Sequence, residues 1–294
     1  MLSQVRRFNR IVTQRVGALN DRFLARDRSL GESRVLWEIG AEGRDVRSLR
    51  TQLELDSGYL SRLLRSLEAS GLVAVGPAGS DKRVRIARLT SSGSAERAIL
   101  DKRSDELAAS LLAPLGAKQR AQLVAAMAEV ERLLIAAMVN IVVIDPAHPH
   151  ARHCLRAYFS ELDSRFDDGF DPTQSIPASD QELRLPAGLL LVATLGTEPI
   201  GCGALKFHDN QPAEIKRMWV DESARGLGIG RRLLSELEHS AAKHGARAVR
   251  LETNKTLVEA IRLYRSAGYG EVAAFNDERY AHHWFEKELS QGQR

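Results

Sequence analysis

Residues Arg225 to Leu234 read RGLGIGRRLL, and this stretch decides the fold of the second half of the chain. It follows a strand-like run, Ala213 to Asp221, and leads directly into a segment with helical periodicity. Glycines have no β-carbon, so the backbone can turn tightly and approach an anion, while the start of the following helix presents several N–H groups. Arg225 and Arg231 add positive charge beside the turn. The stretch therefore predicts a binding loop for a diphosphate.

Two other kinds of phosphate-binding loop are excluded by their own sequence requirements. A dinucleotide-binding loop reads G-x-G-x-x-G near the start of its domain, with an acidic residue about 20 positions later. Here the glycines follow three strand-like runs instead. A nucleoside-triphosphate loop requires Gly-Lys-Ser or Gly-Lys-Thr, and no such sequence follows Gly230. The loop in this chain therefore belongs to neither of these two kinds.

The pattern Arg225-x-x-Gly228-x-Gly230 resembles the coenzyme A loop of the GNAT family of N-acetyltransferases, and the similarity extends over residues 141 to 289. The resemblance implies an α/β fold whose mixed sheet splays apart between its fourth and fifth strands to admit the thioester arm. The hydrophobic pattern agrees with this order of elements. It predicts strands at 141–144, 188–195, 200–207, 213–221 and 248–253, helices at 151–165, 229–244 and 257–267, and further strands toward 289.

The resemblance also implies acetyl-CoA as co-substrate and a set of residues that bind it. The backbone N–H of Met218 would hold the thioester oxygen, and the backbone of Val220 would pair with the pantetheine arm like an added strand. Asn254, at the end of its strand, would hold the coenzyme backbone. The full set is Met218, Trp219, Val220, Arg225, Gly226, Leu227, Gly228, Ile229, Gly230, Arg231, Asn254 and Tyr264.

Transfer of an acyl group to an amine requires a base, because a protonated amine has no lone pair. Glu214 aligns with the glutamate that serves as base in the histone acetyltransferase branch of the family, and Glu252 on the next strand is the reserve candidate. A surface ion pair is the structural alternative for Glu214. Strand alternation predicts that Glu214, Lys216 and Met218 share one face.

The departing thiolate requires an acid, and Tyr264 is the candidate. The pattern Ala260-x-x-Leu263-Tyr264-x-x-x-Gly268-Tyr269 resembles the fourth helix of the family, whose tyrosine lies beside the CoA sulfur. The alternative is an ordinary core tyrosine. Arg217 could clamp a substrate carboxylate, and an ion pair in the core or an interface is its alternative. With no Cys or Ser nucleophile beside a His, direct transfer in a ternary complex is expected.

In the first half of the chain the most informative segment is DSGYLSRLLRSLEASGLV, Asp56 to Val73. Asp56 or Ser57 can cap a helix, leucines recur on one face, and Gly71 ends it. Two strand-like runs follow, with basic residues in the turn between them. A helix-turn-helix followed by a basic β-hairpin is the plan of a winged helix.

These residues resemble the MarR family of transcription regulators over residues 1 to 140. Further support comes from the motif Asp81-x-Arg83 in the wing and from the exit Leu89-Thr90-x-x-Gly93. The resemblance implies a homodimer, held by the first and last two helices, on a pseudo-palindromic operator in double-stranded DNA. The expected DNA-binding residues are Ser57, Tyr59, Ser61, Arg62, Arg65, Lys82, Arg83 and Arg85.

The first helix of this half is predicted from Val5 to Leu24 by its apolar spacing. Charge supports a polyanion partner for the same half, since residues 1–140 hold 23 Lys and Arg against 16 Asp and Glu. Residues 141–294 hold 19 against 22.

Composition bounds the remaining possibilities. The chain has 294 residues, 44% of them hydrophobic and 27% charged, which suits two globular domains. No apolar run reaches the roughly 18 residues of a membrane span, and no signal-peptide core begins the chain, so a cytoplasmic protein without a membrane partner is expected. Its 2 cysteines exclude a disulfide framework and a cysteine-rich metal site, and no metal is expected.

The sequence thus predicts a multi-domain protein: a mainly α winged helix at residues 1–140 and an α/β acetyltransferase domain at residues 141–294. The expected function is a bifunctional transcription regulator and N-acetyltransferase that acts on a small amine or amino acid. One alternative is a MarR-type repressor whose GNAT fold senses acyl-CoA or an amine without turnover. Another keeps the enzyme but treats the winged helix as a dimerisation scaffold.

Overall fold

The computed structural model describes residues 1–20, 22–78, 81–209 and 211–289, without the side chains of residues 81–83. The chain divides into two compact units, Met1–Met127 and Ala128–Arg294. Among the described residues, no helix has the length and apolar character needed to cross a bilayer.

The first unit is mainly helical and carries a small sheet with strand order β1-β3-β2. Helix α6 begins in this unit and runs past its limit at Met127. The elements are α1 (Leu2–Arg15), α2 (Leu30–Ile39), β1 (Arg44–Asp45), α3 (Val46–Gln52), α4 (Ser57–Ala69), β2 (Val73–Ala78), β3 (Asp81–Leu89), α5 (Ser91–Leu112) and α6 (Ala117–Met138).

Local sequence signals fix the boundaries of helix α4, as predicted. The Asp56 carboxylate accepts a hydrogen bond from the backbone N–H of Tyr59 at 2.8 Å, which caps the first turn. Gly71 follows the helix at φ +69°, a left-handed conformation that a glycine adopts without strain. The leucines of one face are buried: Leu60, Leu63, Leu64 and Leu67.

The prediction for the first helix was wrong in its length. Helix α1 ends at Arg15, and Gly17 has φ +70°, which breaks the helical path well before Leu24. None of the residues of α1 is buried within the chain, although Val5, Phe8 and other apolar residues recur along it.

The second unit is built on a seven-stranded sheet with strand order β4-β5-β6-β7-β8-β10-β9. The pairing is antiparallel throughout except between β7 and β8, so the sheet is mixed as predicted. The elements are β4 (Val139–Val143), α7 (Pro149–Arg165), β5 (Gly188–Leu195), β6 (Glu198–Lys206), β7 (Ala213–Val220), α8 (Ile229–Lys243), β8 (Ala248–Thr253), α9 (Val258–Ser266), β9 (Gly270–Val272) and β10 (His283–Glu288).

Helices cover both faces of this sheet. Leu189 and Leu191 of β5 pack in a core with Leu233 of α8, whereas Leu190 of the same strand packs in a second core with Cys154 of α7. The alternation of buried residues follows from the period of two along a strand.

The parallel strands β7 and β8 separate soon after they meet. They pair only as Ala213 with Val249 and Glu214 with Arg250. The predicted splay in the sheet is therefore confirmed, and it opens a gap between the later residues of both strands.

Strand β7 contains a β-bulge, which the sequence analysis did not anticipate. Between the pairs Cys202 with Trp219 and Ala204 with Lys216, strand β7 has one residue more than β6. Arg217 adopts φ +55° there.

The prediction that Met218 shares a face with Glu214 and Lys216 was wrong because of this bulge. Met218 packs with Ile215 in the core beneath α8, whereas Trp219 packs against α7. The extra residue reverses the alternation for the end of the strand.

Candidate active site

The glycine-rich loop lies between β7 and α8, as predicted. Gly226 and Gly228 have φ +81° and +76°, so both use the left-handed region that glycine tolerates. A β-carbon on Gly230 would meet Leu263 Cδ2 at 3.3 Å, so this glycine allows close packing of α8 against α9. Helix α8 begins at Ile229 without a side-chain cap. Its first N–H groups can therefore bind an anion.

Beside this loop lies a groove of about 470 Å³. The residues of the predicted coenzyme set that line it are Met218, Trp219, Val220, Arg225, Gly226, Gly228, Ile229, Gly230, Arg231 and Tyr264. Leu227 and Asn254 are not among its lining residues. The side chain of Asn254 instead donates a hydrogen bond to the Tyr280 carbonyl at 2.8 Å and accepts one from the Thr256 N–H at 2.9 Å.

A smaller cavity of about 120 Å³ adjoins the groove through shared residues. Tyr264, Met218 and Tyr158 line both spaces. Burial raises the pKa of Tyr264, so its hydroxyl stays protonated through the neutral range. Segments 166–178 and 278–281 supply part of the cavity wall.

Glu252 of β8 lines the smaller cavity, and its side chain is only 9% exposed. Its Oε1 forms an ion pair with the ammonium group of Lys216, which is equally buried. Among the described residues, none donates a hydrogen bond to the buried Oε2 of Glu252. A buried carboxylate oxygen without a partner is costly, so it is a strong candidate for contact with a ligand.

Glu214 lies at the start of β7, outside the residues that line the groove and the cavity. Its Oε1 accepts a hydrogen bond from Arg250 at 2.7 Å, and its Oε2 lies 3.6 Å from Lys216 Nζ. Burial alone would raise the pKa of Glu214, but the neighbouring charges of Lys216 and Arg250 outweigh it and lower the pKa. Glu214 is thus paired with neighbouring cations, as the alternative considered above has it, but the ion pair is buried and not on the surface.

Arg217 lies at the bulge and projects into the same small cavity. Its guanidinium lies 5.2 Å from the ring centroid of Phe159, and Nη2 donates a hydrogen bond to the Ala178 carbonyl at 2.7 Å. A left-handed conformation costs a residue with a β-carbon about 1–2 kcal/mol. Such strain is concentrated at functional sites in many proteins.

In the first unit, helix α4 presents a polar face to solvent. The predicted DNA-binding residues of this helix are all exposed: Ser57, Tyr59, Ser61, Arg62 and Arg65. The guanidinium of Arg62 lies 5.5 Å from the ring centroid of Tyr59. Arg85 is exposed on β3, whereas the side chains of Lys82 and Arg83 lie outside the described part of the structure.

Comparison with known proteins identifies both halves. Residues 135–269 match the family model "Acetyltransferase (GNAT) family". The chain is 38% identical over 117 residues to the IAA acetyltransferase of Azospirillum brasilense, an alignment that covers 39% of this chain and 76% of that protein. The chain belongs to the GNAT acetyltransferase family. As a GNAT enzyme it is an N-acetyltransferase.

Two further similarities lie in the same half of this GNAT enzyme. The N-acetyltransferase YsnE of Bacillus subtilis is 35% identical over 109 residues, which cover 36% of this chain and 72% of that protein. A crystal structure of a GNAT acetyltransferase from Staphylococcus aureus Mu50 matches 52% of this chain and 99% of its own, with 18% identity and a TM-score of 0.45.

The first half carries a MarR segment, since residues 27–84 match the MarR family model. This range contains helix α4 and begins just before α2. The protein is thus a fusion of a MarR segment with a GNAT acetyltransferase.

Sequence reasoning missed the contribution of helix α7 to the site of this GNAT enzyme. Glu161 accepts hydrogen bonds from Arg225 at 2.6 and 2.7 Å and from the Trp219 indole at 2.9 Å, so it fixes Arg225 beside the loop. Tyr158 and Arg165 line the groove from the same helix. Their spacing of three and four residues places all three side chains on one helical face, and this polar pattern is the signal that could have found them.

Proposed function

We propose that this protein is a bifunctional transcription regulator and acetyl-CoA-dependent N-acetyltransferase that acetylates a small amine or amino acid. The uncapped start of α8 and the left-handed glycines beside the large groove suit a diphosphate, which supports acetyl-CoA as the co-substrate bound there. The acceptor amine would occupy the adjoining cavity. Both substrates would be bound together, and the acetyl group would pass directly from one to the other.

In the proposed reaction the amine nitrogen attacks the thioester carbonyl carbon. A C–N bond forms, the C–S bond breaks, and the products are an acetamide and free CoA. Glu252 accepts the proton that the ammonium group must lose before attack, and Tyr264 donates a proton to the departing sulfur. The second proton of the nitrogen, which is released once the C–N bond has formed, restores the Tyr264 hydroxyl. The backbone N–H of Met218 holds the carbonyl oxygen as it becomes negative. No covalent acyl-enzyme forms.

The observation that carries this proposal is the position of Tyr264, which lines both the groove and the cavity. A proton donor at the junction of the two substrate spaces lies where the acetyl group would pass from the coenzyme to the amine, so it can protonate the departing sulfur. Tyr269 offers a matched control, because it lines neither space and its hydroxyl donates to Glu238 at 3.0 Å.

The test measures thiol release from acetyl-CoA across a panel of amines. Tyr264→Phe should lower kcat by about 100-fold or more, because an acid in the transition state contributes on this scale. Tyr269→Phe should change kcat by no more than a few fold. Saturable binding of acetyl-CoA with no turnover of any amine would favour a sensor instead of an enzyme.

For the first half we propose a homodimer that binds a pseudo-palindromic operator in double-stranded DNA, with the domain boundary between residues 140 and 141. The exposed basic face of α4 and the MarR match support this proposal. Cytoplasmic localisation stays a prediction.

DNA binding is tested by the affinity for a promoter fragment at several salt concentrations. Arg62→Ala and Arg65→Ala should weaken binding, and each should reduce the slope of log K against log salt by about 1 if it removes a phosphate contact. Arg103→Ala, which removes an exposed charge from α5, serves as control. Equal effects of all three substitutions would reject α4 as the recognition helix.

A further inference from the structure

Among the residues that the structure describes, no carboxylate pairs with the guanidinium of Arg217. None of the ion pairs formed by the described residues includes Arg217. A guanidinium carries five N–H donors, and the hydrogen bond to the Ala178 carbonyl uses one of them. Burial lowers the pKa of Arg217, as expected for a cation that is removed from water without a counter-charge.

Two carboxylates have charges that act on Arg217, and both are paired with other cations. Asp180 forms an ion pair with Arg152, and Glu182 lies 2.7 Å from the ammonium group of Lys206. With these carboxylates occupied within the described part of the chain, Arg217 is available to the carboxylate of a ligand.

Arg217 lines the smaller cavity and not the coenzyme groove, so the ligand in question is the acceptor. Burial raises the pKa of Tyr158 in this cavity, and the charges of Arg217 and Glu252 act on the same hydroxyl in opposite directions. Arg217 and Glu252 both line this cavity, so a guanidinium without a carboxylate partner and a carboxylate oxygen without a donor, as judged among the described residues, border one ligand space. A zwitterion is complementary to both.

One part of the cavity wall is aromatic, and another part is polar, with Ser175, Lys216, Thr253 and Asn254 among its residues. Phe159 and Phe170 stack with ring centroids 5.8 Å apart, and Tyr280 lies 4.8 Å from Phe170. Glu278 holds the loop that carries this wall, because it accepts hydrogen bonds from the Ile176 N–H at 2.7 Å and from the Ser175 hydroxyl at 2.9 Å. The volume of about 120 Å³ is close to the roughly 150 Å³ of a cavity that holds benzene.

We propose that the acetyl acceptor is an α-amino acid with an apolar side chain of medium size, whose carboxylate binds Arg217 and whose amine meets Glu252. The planar guanidinium and the carboxylate can form two parallel hydrogen bonds, which fixes the orientation of the amine. The aromatic wall accepts the side chain. This inference rests on the proposed function, since it names the substrate class of the same site.

The experiment compares amino acids with the amines that lack only their carboxylate. The pairs are L-leucine with 3-methylbutylamine, L-methionine with 3-(methylthio)propylamine, and L-phenylalanine with 2-phenylethylamine. For at least one pair, kcat/KM for thiol release should favour the amino acid by about 100-fold or more, since a buried charged group that is left unpaired penalises the analogue strongly.

Arg217→Gln should reduce that preference to within about threefold, mainly by raising KM for the amino acid much more than KM for the amine. Arg217→Lys keeps the charge without the planar fork and should retain part of the preference. Arg184→Gln removes an exposed arginine that is paired with Asp145 and serves as control. Thermal melting of each variant shows whether it is folded.

A protein that turns over amines without preferring any of the three amino acids would overturn the inference but not the proposed function. Equal losses for amino acid and amine in both Arg217 variants would also overturn it, since Arg217 would then have only a structural role. If no amine is turned over, calorimetry of the three amino acids with CoA present decides the question. Binding that Arg217→Gln abolishes would support the inference, and no binding would reject it.

Discussion

At position 252 a carboxylate oxygen is buried in the smaller cavity without a hydrogen-bond donor among the described residues. Only its other oxygen is neutralised, by Lys216. A protein retains such a group at a cost in stability, and proton transfer to a bound amine is a use that explains it. Glu214, by contrast, has its carboxylate occupied by Arg250 and lies outside the cavity.

Glu252→Gln should therefore lower kcat by about 100-fold or more, because a general base contributes on this scale, without a comparable change in acetyl-CoA binding. Thiol release at saturating acetyl-CoA measures the first quantity, and calorimetry with CoA measures the second. Glu214→Gln is the isosteric control and should lower kcat by less than about tenfold. The reverse order of the two effects would make Glu214 the base.

The sequence named both glutamates but could not rank them by environment. The preference for Glu214 came from an alignment, whereas the ranking depends on Arg250 and Lys216, which approach through pairing of remote segments. Strand pairing of this kind leaves no local signal. Tyr264 and the loop glycines were easier to identify, because their motifs are contiguous in the chain.

At the scale of elements, the turn between β7 and α8 combines a left-handed backbone with an uncapped helix start. Gly228→Ala should cost about 1–2 kcal/mol, because φ +76° is unfavourable for a residue with a β-carbon, and should weaken CoA binding as the loop relaxes. Calorimetry and thermal melting measure the two effects.

Gly196 provides the matched control, since it has φ +59° in the turn between β5 and β6, and an added β-carbon meets no atom within 4 Å there or at Gly228. Gly196→Ala should cost similar stability and leave CoA affinity unchanged. Unchanged affinity in Gly228→Ala would mean that the loop conformation is not needed for the coenzyme.

Most elements of the GNAT half were predictable because their signals are local. Strands β5 and β8 have the bounds that the hydrophobic pattern predicts. The bulge at Arg217 was not predictable, since no glycine marks its left-handed residue. A related sequence feature is a glycine on the neighbouring strand β6. A β-carbon on Gly203 would meet Met218 Sδ at 2.7 Å, so a glycine opposite the bulge leaves room for this side chain.

At the scale of the whole molecule, the exposed apolar surface of helix α1 bears on how copies of the chain assemble. Its apolar residues are exposed, with Val5 at 55% and Phe8 at 43%. Exposed apolar residues that recur along one helix are typical of an interface, and the MarR resemblance implies that a second copy covers them. Substitutions in α1 can therefore test the proposed homodimer.

Phe8→Asp should shift the protein from dimer to monomer in analytical ultracentrifugation, because the charge would be buried at the interface without a partner. Arg6→Asp, which also places a negative charge on α1 but at a polar position, should leave the dimer intact. Affinity for the proposed operator should fall with dissociation, since a monomer would contact only one of its two half-sites. A Phe8→Asp protein that sediments as a dimer would place the interface elsewhere.

The extra residue in β7 has a consequence for how such a protein can diverge. Because of this residue, each side chain of β7 after position 217 points to the opposite face of the sheet from the one it would occupy in a strand without a bulge. Loss of the codon for Arg217 would remove the bulge and take the guanidinium out of the cavity wall. Met218 would still face α8 and Trp219 would still face α7, because the strand would regain its regular alternation. Selection for a new acceptor could therefore act on the number of residues in one strand as well as on their identity.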